Sequence, residues 1–225
     1  MPLSAVRDLG VYVDADVTMS AHVTTTIRAC FAALQQIRSV RRSLMQDALL
    51  TLIWSLVITK LDFCCSALTG VSGLLMQRLQ SVLNAAARLV FSVRRSEHTT
   101  PLLRELHWLK VPERIQYRLY VLTHQCLHGT APPYLAETLQ LTTEVHVDAR
   151  CRLRSASTST LIVPSTRLST LGDRAFPVAA ARAWNTLPAS VDAVIGRLPS
   201  AAETNTFPGF PPITSVQCPC NSLLL

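Results

Sequence analysis

The chain has 225 residues, 49% of them hydrophobic and 16% charged, so it can build one good-sized domain or two small ones around a core. That balance excludes global disorder. The formal net charge is +7, carried by 19 Arg and 2 Lys against 14 acidic residues; arginine suits bidentate phosphate contacts, although a genome's base composition shifts the same ratio.

Asp8 to Asp14 alternates apolar and polar residues and reads as a short strand closed by a polar turn. Ser20 is placed to N-cap a helix reaching about Val40, with Val23, Ile27, Cys30, Phe31, Leu34 and Ile37 at helical spacing. Arg41-Arg42-Ser43 breaks it. A second helix runs from about Met45 to Leu61, apolar on nearly all sides and so expected at the centre, and Asp62 to Leu68 continues it toward Gly70.

The third helix lies in Leu74–Arg95, which has no Gly or Pro. Leu75, Leu79, Val82, Leu83, Ala86, Leu89 and Val90 share one stripe. Gln77, Ser81, Asn84 and Arg88 line the opposite face, which Arg95 joins, beside Arg94, if the helix persists. That polar face reads either as solvated surface or as an anion contact. Between Arg38 and Arg95 the basic residues are Arg38, Arg41, Arg42, Lys60, Arg78, Arg88, Arg94 and Arg95, against only Asp47 and Asp62. The excess suits a polyanion, and it also suits a basic domain with no such partner.

Pro101 opens a short helix to Leu106, Trp108 plugs the core, and Pro112 starts a helix to about Leu127 with a buried stripe of Ile115, Leu119, Leu122 and Cys126. Gly129 ends it, and Tyr134–Leu139 is a further short helix. Gln140–Thr160 is a polar loop or an edge strand showing Arg150, Arg152 and Arg154 on one side. Leu161–Pro164 is a candidate strand, and Ala175–Leu187 is a last helix around Trp184. The Pro-rich end reads as disordered.

Several chemistries find no support. His124 and His128 stand at i and i+4, but Gln125 replaces the glutamate of a zinc protease, and Cys218-Pro-Cys220 has no second ligand pair. Cys64 and Cys65 read as inert buried thiols rather than nucleophiles. No phosphate-loop, dinucleotide or serine-hydrolase motif occurs. Tyr12-Val-Asp14-Ala-Asp16 is superficially polymerase-like, yet only eleven residues precede Tyr12, too few for the upstream carboxylate strand a two-metal site needs. No catalytic or metal-binding residue is therefore assigned. The start lacks a signal-peptide core, and the longest apolar-looking run, Ala48–Ile58, is shorter than the roughly 18 residues of a membrane span. Seven cysteines without a secretory signal read as reduced thiols of an intracellular protein, with nucleus and cytoplasm undistinguished.

One set of landmarks carries a resemblance. Leu9-Gly-Val-Tyr-Val-Asp14, Lys60-Leu-Asp-Phe-Cys64, Arg78–Val90, His98-Thr-Thr-Pro101, Leu106-His-Trp-Leu109, Pro112-Glu-Arg-Ile115, Leu127–Pro132 with Tyr134-Leu135, Gly172–Phe176 and Ala183-Trp-Asn-Thr-Leu-Pro188 occur in collinear order. Together they resemble the carboxy-terminal part of reverse transcriptases of non-LTR (LINE-type, jockey-like) retrotransposons. The resemblance implies a chain that starts after the catalytic palm. Residues 1–19 would be a remnant strand and turn, 20–139 a helical thumb-like domain, 140–194 a post-polymerase region, and 195–225 a tail unrelated to the family. The tail stands where the family has a basic amphipathic helix, which implies a decayed or truncated copy, with Met1 an internal or chance start.

The expected fold is thus mostly α, a thumb-like bundle with a short N-terminal strand and a few minor β segments. The expected function is a grip on primer–template duplex or element RNA without catalysis. Its candidate contacts are Arg78, Asn84, Arg88, Arg94, Arg95, Arg150, Arg152 and Arg154. The magnesium of the parent enzyme would have no ligands here, so no cofactor is expected. Expected partners are nucleic acid (RNA–DNA hybrid, DNA or RNA) and the missing palm, for which an apolar face should be exposed near the amino-terminal end; no membrane partner is expected. The alternatives are a helical protein-interaction or structural module, or a relic without function. Last among them is a thiol hydrolase.

Overall fold

A computed structural model of the chain describes residues 5–142 and 160–187. They are mostly helical, with an N-terminal two-stranded hairpin. The chain divides into two compact units, Met1–Arg118 and Leu119–Leu225.

In the first unit, β1 (Ala5–Asp8) and β2 (Val11–Asp14) pair antiparallel, with Asp8 opposite Val11 and Ala5 opposite Asp14. The expected single strand from Asp8 is therefore a hairpin whose two-residue loop is Leu9-Gly10. Both loop residues have positive φ, 44° and 88°. A turn of that type normally shows Asn-Gly or Asp-Gly, so Leu9 hid it.

α1 (Ser20–Val40) has the expected extent, and Val23, Ile27, Cys30, Leu34 and Ile37 of its stripe are buried, while Phe31 is 40% exposed. Its cap is not Ser20, which is itself helical. Asp14 does that work: its carboxylate accepts from the Met19 N–H at 2.9 Å, the Ser20 hydroxyl at 2.9 Å and the Thr18 hydroxyl. Burial would raise the Asp14 pKa, but the Thr18, Met19 and Ser20 donors favour the anion more and bring it down to about 2. A depressed pKa contributes stability that is complete above the unfolded value near 4 and lost as pH falls through about 2. Asp14→Ala should therefore cost about 1 kcal/mol at neutral pH, and its deficit in urea midpoint against wild type should narrow toward pH 2. A deficit that stays constant with pH would mean that the anion is not what caps α1.

After a 3-10 turn at Arg41–Ser43 come α2 (Gln46–Ile53), a π turn (Trp54–Ile58) and α3 (Thr59–Asp62), together one continuous rod. The expectation of an all-round buried helix fails. Leu49, Ile53, Val57, Ile58 and Leu61 are buried, while Thr51, Ser55, Leu56 and Thr59 on other sides are exposed. Leu49, Ile53, Val57 and Leu61 recur every four residues. On an α-helix each such step overshoots a full turn by about 40°, and widening one turn takes up that drift. The rod also does not run on toward Gly70. Phe63 is extended and Cys64 left-handed (φ 54°), so the chain breaks before a 3-10 turn at Cys65–Leu68.

α4 (Gly73–Phe91) buries Leu75, Leu79, Val82, Leu83, Ala86 and Val90 of the predicted stripe, together with Ala87. Leu89 is half-buried. α1 packs along α4 and against the π turn. α5 (Thr100–Glu105) carries Pro101 in its first turn, Trp108 is 6% exposed, and α6 (Val111–Leu127) follows.

In the second unit, Leu119 and Cys126 of α6 pack with Leu135 of α7 (Pro133–Ala136) and with Phe176, Ala179 and Ala180 of α9 (Phe176–Asn185). Leu161 pairs with Leu141 in an isolated bridge rather than a longer strand. The Asn185 side chain holds it, accepting from the Leu161 N–H at 2.9 Å and donating to its carbonyl at 2.8 Å. Between them is the single-turn helix α8 (Ser169–Gly172). A Cβ on Gly172 would stand 2.5 Å from the Thr166 Cβ, so only glycine fits there.

Candidate nucleic-acid interface

Of the candidate contacts, Arg150, Arg152 and Arg154 lie outside the described residues, and the rest belong to α4 and the turn after it. The helix does not persist to Arg95. It ends at Phe91, and Ser92 turns left-handed at φ 57° with its N–H on the Arg88 carbonyl. Arg94 and Arg95 are therefore not on the α4 face. They project from the turn that follows, and both are exposed.

The polar face is not uniform. Gln77 and Ser81 are exposed, but Asn84 is half-buried and accepts from the Gln80 amide at 3.0 Å, while Gln80 in turn accepts the Val111 N–H at 2.9 Å. Asn84 thus steadies a side chain that tethers the start of α6. Arg78 donates to the Thr24 hydroxyl at 3.3 Å, tying α4 to α1, and stands ten residues from Arg88, about 15 Å along the helix. Arg88 donates through Nη2 to the Glu97 carbonyl at 3.3 Å, and its Nε is buried without a hydrogen-bond partner. Glu97 also accepts from the Arg94 backbone N–H at 3.2 Å. Arg88 and Glu97 together shape the turn from which Arg94 and Arg95 extend.

Arg41 and Arg42 are also at this end of α4, though only their charge drew attention in the sequence. Arg41 donates through Nε to the Leu89 carbonyl at 2.8 Å and through Nη2 to the Val90 carbonyl at 3.0 Å. These are among the last carbonyls of α4, which lack partners within the helix, and a cation there also meets the negative end of the helix dipole. Nothing in the spacing of Arg41 signals that role, because its targets lie some fifty positions downstream.

The other reactive groups are held in structural settings. Asp14 caps α1. Burial pushes the Cys30 thiol up to about 11, against a smaller opposing pull from Lys60, and pushes the Cys126 thiol to about 11 as well. Both are therefore protonated at neutral pH. Cys65 is buried, whereas Cys64 is disulfide-bonded, so the all-thiol reading fails at Cys64. The His124 and His128 rings stack with centroids 4.0 Å apart and planes tilted by 45°. Among the described residues no group of three or more His, Cys, Asp or Glu could hold a metal ion, and no helix is long and apolar enough to cross a membrane.

Comparison with known protein families, curated proteins and solved structures finds no match.

Proposed function

We propose that the chain corresponds to the duplex-gripping helical region of a LINE-type reverse transcriptase, and that it holds nucleic acid through arginine–phosphate contacts without reading bases. The observation that supports this most is the set of cations left open by the fold. Arg38, Arg42, Lys60, Arg94 and Arg95 are exposed and make no ion pair among the described residues. Asp62, one of the two acids in the same segment, is neutralised by Arg114. The excess positive charge therefore faces outward. An intracellular setting goes with this reading, and the Cys64 disulfide would be unusual there.

A packing partner for the hairpin goes with it too. Val6 is 56% and Leu9 46% exposed at the amino-terminal end, where the resemblance leaves room for a palm. Exposed Met45 at 79% and Leu74 at 68% favour the second reading, a helical protein-interaction module.

Binding of the full chain to an RNA–DNA hybrid across a salt series separates the two. Arg94→Ala/Arg95→Ala should flatten the log–log salt slope by about 2 while leaving the far-UV spectrum unchanged. A folded wild type that does not bind the hybrid would reject the grip and leave a protein-binding module or a relic.

A further inference from the structure

We propose that the cleft between the end of α1 and the start of α2 binds a phosphate group; this rests on the nucleic-acid reading above and gives one backbone phosphate a place. The cleft is about 310 Å³ and is lined by Arg41, Arg42, Leu44, Gln46, Leu49 and Val90. Its two cations differ in kind. Arg41 is fixed by the Leu89 and Val90 carbonyls through Nε and Nη2, which leaves Nη1 without a hydrogen bond among the described residues. Arg42 is exposed and makes no hydrogen bond or ion pair among them. One guanidinium is thus preorganised, and its neighbour is free to close on a ligand.

The cleft also receives the amino end of α2. Met45 gives that helix no side-chain cap, so the N–H groups of its first turn remain for an acceptor. The lining is mostly polar, and Leu44, Leu49 and Val90 add only a small apolar part to it. Asp47, the acid nearest in sequence, is exposed and is not among the lining residues. A diester in a strand suits the position better than a free ion. Val90 lines the cleft and Arg94 follows four residues later, at most about 14 Å of chain. A single backbone can therefore touch both the cleft and the Arg94–Arg95 turn.

Arg42→Ala is the variant of choice, because Arg41→Ala would also uncap α4. Two probes are titrated into the full-length protein: inorganic phosphate, followed by backbone amide shifts, and an RNA–DNA hybrid, followed across salt. Far-UV circular dichroism and the melting curve verify the fold. Arg42→Ala should abolish the phosphate-induced shifts, weaken hybrid binding several-fold at low salt and reduce the salt slope by about 1, with partial rescue by Arg42→Lys. Phosphate shifts that vanish in Arg42→Ala, with no hybrid binding even by wild type, would keep the cleft as a site for free phosphate and reject the nucleic-acid reading. An unchanged salt slope and unchanged phosphate response in Arg42→Ala would overturn the cleft, and a slope still flattened by Arg94→Ala/Arg95→Ala would then preserve the grip without it.

Discussion

Arg114→Ala is expected to destabilise the first unit by about 2–4 kcal/mol. Arg114 Nη1 lies 2.6 and 2.7 Å from the two oxygens of Asp62, and its Nε donates to the Leu109 carbonyl at 3.1 Å. The side chains are only 13% and 19% exposed, so truncation leaves a largely desolvated carboxylate with no cation. That residual charge, more than the lost attraction, sets the size of the effect. The double variant Asp62→Asn/Arg114→Met should recover much of the loss, since it removes both charges and keeps volume. Urea midpoints of the two single variants and the double variant decide the matter. A change within about 0.5 kcal/mol for Arg114→Ala would show the pair to be no stronger than a surface bridge.

Phe176→Ala should act on the second unit by about 3–4 kcal/mol. Phe176 is 2% exposed and packs among Leu119, Cys126, Leu135, Ala179 and Ala180, a cluster with small members that cannot collapse into the space left by the ring. Phe176→Leu, which fills most of that space, should cost much less. Cys126 provides a local readout: it is 7% exposed in the wild type, so its alkylation should accelerate in Phe176→Ala. Alkylation as slow as in the wild type, with an unchanged melting curve, would mean that the ring is not central to this cluster.

The helices were legible where apolar spacing was strict. α1, α4, α6 and α9 stand close to where Val23–Ile37, Leu75–Val90, Ile115–Cys126 and the Trp184 segment place them, because burial of a stripe fixes both type and phase. Breaks set by backbone handedness were not legible. Leu9, Cys64 and Ser92 take positive φ although none is a usual left-handed residue, so the hairpin loop, the end of the second rod and the end of α4 were all missed or misplaced. The candidate contacts were legible as charges but not as roles. Whether an arginine is open, like Arg94, or bound to a carbonyl, like Arg41 and Arg88, depends on partners remote in sequence.

The landmarks that carried the resemblance gain a physical sense from the same contacts. Asp62 of one meets Arg114 of another, Arg78 reaches Thr24, and Asp173 accepts from Arg182 at 2.9 Å and from Thr166 at 3.1 Å. Several of these positions thus hold the architecture together and need not touch a ligand.

The widened turn at Trp54–Ile58 bears on how this chain tolerates changes in its own length. Removing one residue from an ordinary helical stretch swings everything beyond it by about 100°. Within the widened turn, a single deletion would instead restore regular winding and leave the faces on either side nearly in phase. The longest apolar-looking run of the sequence is thereby also a place where loss of a codon does least harm to the register of the fold.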